Sequence, residues 1–247
     1  MLKVNDLHFA VKDLSILNGI DLEISNGETV GIIGPNGSGK TTLFNCLSGF
    51  NIATKGSLYL GECNITQMSP SARALLGMGR VFQNFGIFRE MTVIENVIIA
   101  IEARQGPLLT FLPWSKQNVI NSHKALEILS EVKLERAAKS KASSLSGGQM
   151  RLLEIVRTLA FGAELFLLDE PTAGVSPKMK EDVARLIQKL KDLGKTVIVI
   201  EHDINFIQKF CSRIVVLDSG RVVLDGTPAL VRANPLLKEI YFGTEAT

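Results

Sequence analysis

"ETVGIIGPNGSGKTTLFNCLSG", Glu28 to Gly49, decides the fold. "ETVGIIG" reads as a buried strand entering a glycine-rich turn, and "KTTLFNCLSG" as a helix closed by Gly49. Gly34 to Thr41 fit G-x-x-x-x-G-K-[ST] in that strand-turn-helix setting. Gly34, Gly37 and Gly39 let the backbone wrap an anion, with Pro35, Asn36 and Ser38 between them. Consecutive N–H groups and the helix N-terminus, at Thr41 and Thr42, then face the phosphate. In such a loop Lys40 reaches the β- and γ-phosphates of a nucleotide, and the Thr41 hydroxyl binds Mg²⁺.

Outward from that loop, short Val/Ile/Leu runs alternate with helical stretches, the pattern of a mostly parallel sheet covered on both faces. "LFLLDE" and "KTVIVIEHD" are two further buried strands ending in charged residues, and ligands of open α/β sheets bind at such carboxyl ends. Asp169 is placed to hold the Mg²⁺ shell and Glu170 to orient or deprotonate an attacking water. Gln83, in "GRVFQN", ends another short apolar run and can serve the metal and the water. His202 can hydrogen-bond a terminal phosphate oxygen, whereas His8 and His123 have no such setting. "LKVNDLHFAV", "GIDLEIS", "GSLYLGE" and "RIVVLDSGRVVLDG" alternate and turn as antiparallel strands do.

Between about 84 and 161 helical periodicity replaces strand signals, so a helical subdomain (84–161) is expected inside an α/β core (1–83 and 162–247), all within one domain spanning 1–247. A second glycine-rich helix start falls there, in "SSLSGGQMRLLEIVRTLA", Ser143 to Ala160.

Composition narrows the function classes. The 247 residues carry a net charge of +2 with 46% apolar and 21% charged residues. Nothing basic enough for a nucleic-acid partner stands out. Cys46, Cys63 and Cys211 are scattered, which suits a reducing compartment and excludes a disulfide framework. "MLKVNDLHFAV" lacks a signal-peptide core, and no apolar run approaches the ~20 residues that span a bilayer.

Taken in order, the phosphate loop, Gln83, "LSGGQ" at Leu145–Gln149, "LLDEP" and His202 resemble the nucleotide-binding subunits of ATP-binding cassette (ABC) transporters. The resemblance runs through essentially the whole chain. It implies a P-loop ATPase with a mostly parallel core, an antiparallel β part and an inserted helical part. It also implies ATP with Mg²⁺ and a head-to-tail dimer with a second ATPase subunit, a copy or a paralogue. Ser146, Gly147, Gly148 and Gln149 would then cap the ATP held by the partner's phosphate loop, which explains the second glycine-rich start. The implied setting is peripheral, on the cytoplasmic face of a membrane. The implied partners are transmembrane permease subunits and, through them, a substrate-binding protein.

Three details refine the resemblance. Ser176 stands where the family commonly has Asp, in "TAGVSP". Val11 falls where a base-stacking ring is expected, with Phe9 as the alternative. "TAGVSP", the insert "IEARQGPLLTFLPWSKQ" and the tail "NPLLKEIYFG" are similar to ATPases of branched-chain amino acid importers. Urea importers, the lipopolysaccharide exporter and the iron–sulfur assembly ATPase are the alternatives within the superfamily. DNA-repair and chromosome-structure ATPases insert long coiled coils that this chain lacks. Phe85, Phe88 and Met91, after Gln83, are candidates for a groove that takes a short helix of a membrane partner.

Overall fold

The fully apolar strand runs have two buried faces. In the run Thr29–Ile33, Val30 and Ile32 belong to one core cluster and Ile33 to another. In Thr196–Ile200, Val197 and Val199 face the second cluster while Ile198 and Ile200 face the first. Phe166 and Leu168 alternate in the same way with Leu165 and Leu167. Period-2 geometry turns a continuous apolar run into two faces, so such strands need cover on both sides.

The computed structural model describes residues 1–82, 86–105 and 114–242. The chain begins β1 (Leu2–Val11), β2 (Leu14–Ile24), β3 (Thr29–Ile33), α1 (Lys40–Ser48), β4 (Lys55–Leu60) and β5 (Cys63–Asn64). It continues through α2 (Pro70–Leu75) and β6 (Met78–Val81) to three helices, α3 (Val93–Gln105), α4 (Trp114–Ser130) and α5 (Gly147–Ala160). Then come β7 (Leu165–Asp169), α6 (Pro177–Asp192), β8 (Thr196–Ile200) and α7 (Ile204–Ile207). The last elements are β9 (Arg213–Asp218), β10 (Arg221–Gly226), α8 (Pro228–Ala233) and α9 (Pro235–Phe242).

Six strands form one sheet in the order β10-β9-β3-β8-β7-β6, parallel except for the β9–β10 edge hairpin. Four form an antiparallel sheet, β2-β1-β4-β5. α1 lies between the sheets, with Leu43, Phe44 and Leu47 completely buried among residues of both. On the other face of the six-stranded sheet, α3 to α6 share the second cluster. α6 shows why: Val183, Leu186, Ile187 and Leu190 are its buried residues, one stripe at helical spacing.

One grouping differs from the sequence reading. "RIVVLDSGRVVLDG" forms a hairpin, but β9 is also parallel to β3 in the main sheet. The reason is burial: Ile214 to Leu217 are covered on both faces, which an edge sheet with one wet face does not require. The turn has Ser219 at φ 47° and Gly220 at φ 74°, the left-handed pair that suits two-residue hairpins.

Candidate functional site

The loop after β3, the turn after β7 and the segment after β8 lie at the carboxyl ends of three adjacent strands. Gly34 opens the first at φ 153°, and a Cβ there would stand 2.0 Å from the Leu217 carbonyl oxygen, so only glycine fits. The Gly34 N–H donates to Tyr241 Oη of α9 at 3.0 Å. Lys40 is buried, and its Nζ donates to the carbonyls of Gly34 and Pro35, both at 2.8 Å. Burial lowers its pKa, opposed by the charges of Glu170 and Asp169. Among the described residues, Ser38 Oγ is buried with no hydrogen-bond partner. A cation folded onto its own loop and an orphaned hydroxyl beside it suit an anion that would satisfy both. Thr41 and Asn36 are exposed and Thr42 is half-buried.

Asp169 ends β7 and is buried. Its Oδ2 pairs with Arg80 Nη2 at 3.0 Å. Burial raises its pKa, which the Arg80 hydrogen bond and charge oppose. Glu170 follows at φ 46°, left-handed backbone that a non-glycine residue adopts at a cost of about 1–3 kcal/mol. Its N–H donates to the Ile200 carbonyl at 3.0 Å, and its Oε1 lies 2.8 Å from His202 Nε2. Strain of this kind persists where the surroundings enforce it and concentrates at functional sites. The two candidate catalytic residues, 32 positions apart, are therefore in direct contact. Gln83 lies outside the described residues, as does Phe85.

Thr41 and Asp169 offer hydroxyl and carboxylate oxygens, the donor chemistry of Mg²⁺. Among the described residues no three His, Cys, Asp or Glu side chains cluster as a metal cage.

The second glycine-rich start has different neighbours. Ser146 caps α5: its Oγ accepts from Gln149 N–H at 3.3 Å, and its N–H donates to Gln149 Oε1 at 3.0 Å. This capping box uses the Ser and Gln locally. Yet a hydroxyl that accepts one bond still has its own proton to donate, and Ser146 is exposed. A Cβ on Gly148 would meet Met179 of α6 at 2.5 Å. The phosphate loop packs instead against β2 and the β9–β10 turn.

Several site residues went unread in the sequence. Glu201, next to His202, is buried and accepts from Thr172 N–H (2.9 Å) and Oγ1 (2.6 Å). Arg80, inside "GRVFQN", is a charge within a strand, which is itself a signal. Arg151, Glu154 and Arg157 of α5 hold both flanks of 83–85: Arg151 donates to the Phe82 carbonyl, Glu154 Oε1 accepts from Gly86 N–H, and Arg157 donates to the Gly86 carbonyl. Ser176 caps α6 through Met179 N–H at 3.5 Å, ahead of Pro177. Phe9 packs against the core, while Val11 is half exposed on the β1–β2 hairpin beside exposed Leu14.

A groove of about 460 Å³ opens between α1, α2, β6, α3 and α5, with Phe50, Phe82 and Phe88 in its walls. Phe88 is exposed and Arg157 lies 5.1 Å from its ring centroid. Met91 is half-buried and is not in the wall.

Comparison with known proteins identifies the family. Residues 17–173 match the model of the ABC transporter family. The chain is 36% identical to the high-affinity branched-chain amino acid transport ATP-binding protein BraF of Pseudomonas aeruginosa, over 98% of each chain. It is 35% identical to the corresponding protein LivG of Escherichia coli K12, again over 98% of each. A crystal structure of an ATP-binding cassette of an ABC transporter in its ADP conformation superposes with a TM-score of 0.87, at 32% identity and 98% coverage of both chains. A dimeric cassette in a post-hydrolysis state bound to ADP and Pi gives 0.78 at 31% identity, covering 92% of this chain and 99% of the other.

Proposed function

The chain belongs to the ABC transporter ATPase family, and on that premise we propose that it powers the import of branched-chain amino acids through a membrane permease. The observation that carries the ATPase chemistry is the strained Glu170 against His202, at the same carboxyl end of the sheet as the phosphate loop. The names of its relatives carry the substrate class.

In this reading the loop N–H groups and Lys40 hold the β- and γ-phosphates, Lys40 leaving the carbonyls of Gly34 and Pro35 to do so. Thr41, Asp169 and Gln83 are the residues that would hold Mg²⁺, which would supply charge stabilisation for the phosphoryl transfer. Glu170 Oε1 accepts the proton of the attacking water as its oxygen bonds to the γ-phosphorus and the bond to the β-phosphate oxygen breaks. His202, in contact with Glu170 through Nε2, would turn that N–H to the γ-phosphate once the nucleotide is bound. The Ser146 hydroxyl and the N–H groups of Gly147 and Gly148 cap the nucleotide of a second cassette in a head-to-tail dimer. The aromatic groove receives a short segment of the permease. Among the described residues no helix is long and apolar enough to cross a membrane. Such a subunit sits on the cytoplasmic face through its partners.

Glu170→Gln tests the mechanism. Turnover is expected to fall about 10²–10⁴-fold while ATP binding persists and a dimer accumulates in gel filtration with ATP. Unchanged turnover would remove Glu170 from the chemistry. Reconstitution with permeases and a binding protein of a branched-chain amino acid importer, and separately with those of a urea importer, followed by radiolabelled leucine and urea uptake, tests the substrate class.

A further inference from the structure

Arg80 stands between the groove and the nucleotide site. It lies in β6 with its side chain 6% exposed, paired with Asp169 Oδ2 at 3.0 Å. Its Nη1 donates to Asn45 Oδ1 at 2.6 Å and Ser48 Oγ at 2.9 Å, both on the helix that follows the phosphate loop. The guanidinium carbon is 4.7 Å from the Phe82 ring centroid and 5.8 Å from that of Phe50. Those two rings pack edge to face with centroids 5.4 Å apart, and both line the groove, as Arg80 does. One rigid planar cation thus pairs with the carboxylate while its central carbon lies over two rings of the groove wall.

A buried cation is not needed for stability alone, because an apolar side chain of similar volume commonly serves as well or better. What the apolar residue lacks is a fixed fork of donors that sets the orientation of a carboxylate. Phe50 is 56% exposed despite its ring contacts. An occupant of the groove therefore touches the cage around the guanidinium directly.

We propose that Arg80 is a positioning residue that orients Asp169 for the magnesium nucleotide and, through Phe50 and Phe82, links occupancy of the groove to that orientation. The proposal rests on the ATPase reading of the site. Outer-sphere residues of this kind act on how tightly the metal is used, typically by 10–100-fold.

The test is binding of a fluorescent ATP analogue titrated with MgCl₂, against the same measurement in EDTA. For Arg80→Met the Mg²⁺ concentration at half effect is expected to rise about tenfold or more, with binding in EDTA kept within about twofold. Arg80→Lys restores the charge without the fork and recovers part of the shift. Phe50→Leu removes one ring over the guanidinium and touches no candidate nucleotide residue, so a smaller shift in the same direction is expected. An unchanged Mg²⁺ response in Arg80→Met overturns the proposal. Equal weakening with and without Mg²⁺, alongside a lower melting temperature, also overturns it, because that is the mark of a structural role. A normal response in Phe50→Leu overturns the link to the groove. If the wild-type protein itself shows no Mg²⁺-dependent nucleotide binding, the ATPase reading fails and the proposal falls with it.

Discussion

Glu201 holds Thr172 from below the turn that carries Glu170, and burial raises its pKa above the ordinary 4.5 while the two bonds from Thr172 oppose the rise. The folded protein therefore keeps the Glu201 proton at pH values where the unfolded chain has released it. From about pH 4.5 up to the raised folded pKa, this group makes stability fall as pH rises, and above that the penalty is constant. Glu201→Gln keeps an acceptor for Thr172 without the buried charge. Its stability relative to wild type is expected to improve across that window and then level off, measured by urea denaturation at a series of pH values. A difference independent of pH would mean that Glu201 ionises alike in both states. The residue was visible in "TVIVIEHD", but a carboxylate just past a strand reads as surface. Only its contact with Thr172 shows that it turns inward.

α5 illustrates the same point for a whole element. Its start was legible, because Ser-x-x-Gln with glycines and an apolar period after it specifies a capped helix. Its inner charges were not, because charges ordinarily mark the solvent face, whereas Arg151 and Glu154 are buried as an ion pair at 2.8 Å. Glu154→Ala leaves two buried or half-buried arginines without this partner and is expected to cost about 3–5 kcal/mol, read from urea denaturation. A cost below about 1 kcal/mol would show that water replaces the carboxylate. At the N-terminus, Ser146→Asp separates capping from nucleotide binding. Asp caps about as well as Ser, so the melting temperature is expected to hold. Its negative charge would face the partner's phosphate, so ATP-induced dimerisation is expected to disappear. Dimers that persist would confine Ser146 to its capping role.

The whole molecule has two glycine-rich starts with separate surroundings, one against β2 and the β9–β10 turn, the other against α6. A composite site between two subunits makes a quantitative prediction. Lys40→Ala and Ser146→Asp proteins are each expected to lack turnover. Mixed in equal amounts, only a pair made of one of each has an intact site, one of its two. Up to about half of the wild-type sites then return, seen as ATPase activity that rises on mixing. A site complete within one subunit would give no recovery. The groove between α1, α2, β6, α3 and α5 belongs to this scale too, since its walls come from five elements and from no single stretch of sequence.

What the sequence by itself determined was everything carried by local order: the strand-turn-helix that wraps an anion, the capped start of α5, and the strands with two apolar faces. Those depend on backbone geometry and on periods of a few residues, which a linear string displays. What the tertiary structure decided was which polar groups meet. Asp169 pairs with Arg80 from 89 positions away, and Gly34 donates to Tyr241 from 207 away. Such partners are set by which strands lie side by side and which helix covers them. That order follows from burying all the apolar faces at once, and no local period records it.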